Sequence, residues 1–120
     1  MDDKTTINDL KLRVQQFCED RDWDQFHNAK DLAIGIITES SELLEHFRFK
    51  SDAEMEQLFL DGNKRQEITE ELADVLFFVL RFAQKFNIDL TEELFQKIEK
   101  NNRNYPVDRS KGSNKKYSEL

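Results

Sequence analysis

Glu39 and Glu42 stand three residues apart, and Glu71 and Asp74 repeat that spacing. On a helix, residues three apart share a face, so each pair projects two carboxylates in one direction. Two such helices facing each other form a four-carboxylate cluster. Like charges converging in a partly buried site are unfavourable, and a divalent cation is the usual compensation. Oxygen-only ligation points to magnesium or manganese rather than zinc. In a chain with 36% charged residues the same spacing also arises often on solvated helix faces. The setting of Glu71 weighs against that alternative, because it falls between the angular positions of Val75, Phe78 and Phe82 on an almost wholly apolar helix. Glu45 and Glu70 lie beside the pairs without sharing their stripes. Either is placed to orient or deprotonate an attacking water, and each equally fits an exposed helix carboxylate.

Helices must hold these pairs, and the composition favours helices. The 120 residues include three glycines and one proline, with long Glu, Lys, Gln and Leu-rich stretches, so the expected fold class is all-α. A first helix is predicted from about Thr6 to Arg21, with Ile7, Leu10, Val14, Phe17 and Cys18 as its buried stripe. The second runs from about Lys30 to Phe47, where Leu32, Ala33, Ile36, Ile37, Leu43, Leu44 and Phe47 fill an apolar arc beside the stripe of Gly35, Glu39, Glu42 and His46. Ser51 to Glu54 reads as a capping box for a short helix, with Asp61 and Gly62 giving the break after it. The third long helix, about Lys64 to Phe86, is apolar nearly all round, which places it at the centre of a bundle or between subunits. A fourth, capped by Asp89 and reaching about Asn102, turns Leu90, Leu94, Phe95 and Ile98 inward. The expected organisation is a helical domain over residues 1–106 and a polar, lysine-rich, mobile tail over 107–120.

A formal charge of -7 repels phosphate backbones and argues against a nucleic-acid polymer as partner. A smaller anionic substrate needs a cationic adaptor, and magnesium keeps positions for water and phosphate oxygens while carboxylates hold it. The lone Cys18 has no intrachain disulfide partner and reads as a small buried apolar residue compatible with a reducing compartment. The N-terminus lacks a basic segment followed by an apolar signal core, and Arg81 and Gln84 interrupt the richest apolar run. The expectation is a cytoplasmic protein with no membrane partner.

ESSE at 39 to 42 and EELAD at 70 to 74 resemble the ExxE and ExxD metal motif of the MazG-like, all-alpha nucleotide pyrophosphohydrolases. RDWDQFHNAKDLA before them and NRNYPVDRSKGSNKKYSEL after them look like the dCTP pyrophosphatase branch, so the likeness spans nearly the whole chain. The resemblance implies a four-helix bundle completed by oligomerisation, commonly a tetramer built from dimers. It implies hydrolysis of a nucleoside triphosphate to monophosphate and pyrophosphate, with Glu39, Glu42, Glu71 and Asp74 as magnesium ligands. It also implies a nucleobase pocket from Trp23, His27 and Phe49 and substrate contacts from Lys97 and Asn101, with Lys30 and Lys116 weaker phosphate-binding candidates, of which Lys30 fits a solvated face better. Two positions depart from the branch, which tends to carry tryptophan at Phe49 and tyrosine at Phe78. Both changes bear on base and sugar selection. Two other readings stay open: a catalytically silent helical protein that binds a partner, and a related enzyme acting on dUTP or other triphosphates.

Overall fold

A computed structural model describes residues 1–120, and it is helical with no strand. In order, the helices are α1 Ile7–Asp20, α2 Ala29–Glu45, α3 Asp52–Leu60, α4 Gly62–Lys85, α5 Leu90–Asn104 and α6 Val107–Ser110, with 3-10 turns at Asp24–Phe26 and Tyr117–Glu119. No helix is long and apolar enough to cross a membrane. The chain divides into two units, Met1–Asn87 and Ile88–Leu120.

Helix starts are set by local side chains. Thr6 and Asp9 form a reciprocal capping box on α1, with both bonds at 3.0 Å, and Ser51 and Glu54 form another on α3. Asn28 caps α2 by accepting from the Asp31 amide at 2.8 Å, and Asp89 caps α5 by accepting from the Glu92 amide at 2.9 Å. The expected break at Gly62 is sharper than the spacing suggests. Asp61 ends α3 and at once accepts from the amides of Asn63 and Lys64, so Gly62 is already the first residue of α4. The α2 helix ends two residues short of the expected Phe47, and the chain leaves it through Phe49 in the left-handed region at φ 64°.

In the first unit α4 is the central element and packs on α1, α2 and α3. Val14, Cys18, Leu32, Ile68, Leu80 and Ala83 are buried. This core is smaller than the apolar pattern suggests. Ile37 and Leu44 of α2 and Leu72 and Leu76 of α4 stay exposed, because three neighbouring helices cover only part of a helix that is apolar nearly all round. In the second unit the same correction applies to Leu94, Phe95 and Ile98 of α5, which face solvent rather than inward. The polar, lysine-rich segment after Pro106 carries local structure: the Pro106 carbonyl accepts from the amides of Arg109 and Ser110 to start α6, and the Tyr105 and Tyr117 rings meet edge to face at 5.9 Å.

Candidate metal centre

The α2 and α4 helices approach closely because Gly35 has no side chain. A Cβ at Gly35 would lie 2.5 Å from two carbons of the Phe78 ring, so the ring rests directly on the α2 backbone. That contact sits one turn before Glu39 on α2 and one turn after Asp74 on α4. It brings carboxylate oxygens of Glu39, Glu42 and Glu71 within 4.8 Å of one another. Glu39 and Glu71 are half-buried, and each has an Oε2 shielded from water with no hydrogen-bond partner.

Acids this close cannot all ionise without penalty. Shelter from water pushes the Glu39 carboxyl up to about 7, helped by a hydrogen bond with Glu42 and by the charges of Glu42, Asp74 and Glu71. Glu71 is raised by shelter, by its own hydrogen bond with Glu42, and by the charges of Glu42 and Asp74, while His46 opposes the shift. Two sheltered acceptors without donors in an oxygen-only cluster suit a hard divalent cation. Asp74 lies outside the three-oxygen group but adds to its field and turns one side toward a neighbouring cavity.

That cavity, about 660 Å³, is lined from α1 by Arg13 and Phe17, from its C-terminal cap and the following loop by Arg21 and Trp23, and from α4 by Asp74, Phe77 and Phe78. Phe17 meets Trp23 edge to face at 5.5 Å and Phe77 at 5.7 Å, and the Arg21 guanidinium lies over the Phe17 ring at 3.7 Å. Carboxylates for a cation therefore adjoin an aromatic space fit for a planar ring. Phe17, expected in the buried stripe of α1, is exposed to this cavity, and Arg13 and Arg21 are site residues that the apolar pattern does not single out. The signal was their spacing, since 13, 17 and 21 follow one helical stripe.

The loop carrying Trp23 and His27 is tied to α4 by Arg81, whose side chain is only 1% exposed. Arg81 donates from Nε to His27 Nδ1 at 3.0 Å and from Nη1 to Gln84 Oε1 at 2.6 Å, and it pairs through Nη2 with Asp24. Lys85 adds an ion pair with Asp24 at 3.2 Å and donates to the Asp24 carbonyl at 3.1 Å. Hydrogen bonds from Lys85 and Arg81 hold the Asp24 carboxyl below its usual range. In the sequence Arg81 registered only as an interruption of an apolar run.

The MazG-like family profile matches residues 34–120, most of the chain and both acidic pairs. The chain belongs to the MazG-like family. This MazG-like chain is 36% identical to dCTP pyrophosphatase 1 of Rattus norvegicus over 115 residues, which cover 96% of the chain and 68% of that protein. It is 33% identical to dCTP pyrophosphatase 1 of Homo sapiens over the same length. A pyrophosphatase from Archaeoglobus fulgidus aligns with a TM-score of 0.77 and 34% identity, covering 83% of this chain and 92% of that one.

Of the remaining residues singled out in this MazG-like sequence, Glu45, Glu70, Phe49 and Lys30 belong to the first unit. Glu45 is exposed and pairs with Arg48 at 3.4 Å, and exposed Glu70 accepts from Gln66 at 3.1 Å. Phe49 is 88% exposed, touched by the Arg48 guanidinium at 4.6 Å from its ring centre. Lys30 is exposed on the first turn of α2. In the second unit, Lys97 lines a shallow cleft on α5 with Lys100 and Arg103, Asn101 is half-buried near the end of α5, and Lys116 is exposed just before the final 3-10 turn.

Proposed function

We propose that this chain is a magnesium-dependent nucleoside triphosphate pyrophosphohydrolase, acting on dCTP or a modified dCTP and forming the monophosphate and pyrophosphate. The observation that carries this reading is the convergence of Glu39, Glu42 and Glu71, with two sheltered oxygens lacking donors, beside an aromatic cavity that Asp74 also lines. The names of the related dCTP pyrophosphatases and of the archaeal pyrophosphatase support it.

In the reaction, water attacks the α-phosphorus and the bond to the oxygen bridging to the β-phosphorus breaks. Glu39, Glu42, Glu71 and Asp74 would hold the cation, with Mn2+ an alternative to Mg2+. When bound, such an ion neutralises triphosphate charge and lowers the pKa of a coordinated water. Glu45 or Glu70 takes the water's proton, each being an exposed carboxylate with only a single local tether. Trp23, Phe77 and Phe78 offer ring faces and edges to the base, and His27 offers a polar group to its edge. Phe78 has no hydroxyl and Phe49 no indole N–H, so polar discrimination between bases rests on fewer groups, His27 among them.

The exposed apolar positions on α2 and α4 support a homo-oligomer, a tetramer built from dimers, working on the cytoplasmic precursor pool. Thr69, Leu72, Val75, Leu76 and Val79 form a groove along α4 suited to such a contact.

A panel of nucleoside triphosphates with Mg2+, followed by pyrophosphate release, tests the assignment. Fastest release from dCTP or a 5-substituted dCTP is expected, with none after chelation. No release from any triphosphate would leave a non-catalytic helical binding protein, and a dUTP preference would move the substrate within the same chemistry.

A further inference from the structure

Arg81 is a buried charge that the hydrolytic mechanism does not use. It reaches across from α4 to the one loop that carries both Trp23 and His27. Its Nε–H donates to His27 Nδ1, so that nitrogen carries no proton in this arrangement and the neutral ring keeps its proton on Nε2. No protein group takes up Nε2, and the ring is half-buried beside Trp23, with ring centres 6.3 Å apart.

We infer that Arg81 is a positioning residue for base recognition: it locks His27 in the Nε2–H tautomer and pins the Trp23-to-His27 loop, so the ring presents a hydrogen-bond donor. A donor there favours a base edge that offers an acceptor, a carbonyl oxygen or an unprotonated ring nitrogen as on cytosine, and disfavours an edge whose facing group is N–H. The inference rests on the proposed contact between His27 and the base. The surroundings keep the ring neutral as well as oriented. Burial, then the charges of Arg81 and Lys85 from α4, hold the imidazole below its usual range, and Asp24 of the loop and Asp31 of α2 only partly oppose them. Asp24 completes the device by holding Arg81, and since its carboxylate is 57% exposed, removing Arg81 leaves no buried charge behind.

The direct test is the long-range 1H–15N spectrum of 15N-labelled protein between pH 6 and 8, with the two histidines told apart by His27→Gln. His27 is expected to show an unprotonated Nδ1 and a protonated Nε2 across that range in the wild type. An Nδ1–H tautomer or a protonated ring at pH 7 overturns the inference without any Arg81 variant. In Arg81→Met the expected result is a mixture of tautomers, with a KM for the preferred triphosphate raised about tenfold, as for one lost hydrogen bond, and kcat within about twofold. Arg81→Lys keeps the charge without the guanidinium fork and should fail to restore KM. His27→Gln should raise KM similarly, and Arg81→Met should add little on top of it. A locked tautomer with KM unmoved by either substitution overturns the role in recognition. Failure of the wild type to cleave any triphosphate would instead refute the hydrolase reading, and the spectrum would still decide the lock.

Discussion

Replacing Gly35 with alanine tests whether the α2 and α4 contact sets the geometry of the acidic cluster. The added Cβ would lie 2.5 Å from Cδ1 and Cε1 of Phe78 and 2.8 Å from its Cγ. Carbon atoms pack at about 3.5–4.0 Å, so ring and helix must separate by roughly 1 Å. The contact reaches Cγ at the root of the ring, so turning the ring about its own axis does not clear the methyl. Overpacking of this kind costs about 1–3 kcal/mol, and a small domain loses roughly 4–8 °C of Tm per kcal/mol. Glu39 lies one turn further along the displaced helix, so the carboxylates should part by a comparable distance. Misplacement of about 1 Å can reduce turnover by about 10²-fold. Thermal unfolding with and without Mg2+, alongside steady-state kinetics, should show a lower Tm, a smaller stabilisation by Mg2+ and a depressed kcat. Adding Phe78→Leu should return part of the lost Tm by making room for the methyl. A Gly35→Ala protein with unchanged Tm, Mg2+ response and kcat would refute the reasoning.

Further outcomes follow from the same geometry. Glu39→Gln should stabilise the metal-free protein by relieving like-charge crowding, yet weaken divalent-metal affinity by more than the roughly 10- to 100-fold typical of losing an outer hydrogen-bond partner, as read by calorimetric titration. Between pH 4.5, the ordinary value for Glu39, and its folded value of about 7, the metal-free protein should lose stability as pH rises, because the folded state keeps a proton that the unfolded state releases. Below about pH 3.8 the trend reverses for Asp24, whose lowered carboxyl contributes stability that disappears as it protonates, so denaturant unfolding against pH should show both limbs. Metal binding should release protons near pH 7 and tighten from pH 6 to 8, visible as a buffer-dependent heat of binding. Trp23→Ala should raise KM about 5- to 150-fold with a smaller change in kcat, the range expected for losing one stacked base contact of about 1–3 kcal/mol.

Much of this molecule was legible because its determinants are local. Ser51 with Glu54 and Asp89 with Glu92 sit three residues apart, and the capping box and the cap close as that spacing predicts. The carboxylate pairs were legible for the same reason, although the distance between the helices depends on Gly35 meeting Phe78, a contact no spacing rule anticipates. Periodicity names the apolar faces of α2, α4 and α5 but not what covers them, so Phe95, expected inward, lies exposed in the chain, as do Ile37 and Leu72 of the apolar faces of α2 and α4. The Arg81 network was not legible at all, since its partners Asp24 and His27 are 57 and 54 residues away. A lone arginine in an apolar helix gives no hint of which distant acid neutralises it.

The most direct test of the metal centre is an anomalous difference map from crystals soaked in Mn2+. A peak bridging the carboxylates of Glu39, Glu42 and Glu71 is predicted, within bonding distance of the two sheltered Oε2 atoms. Well-ordered carboxylates with no peak between them, in protein that still cleaves its triphosphate, would contradict the assignment.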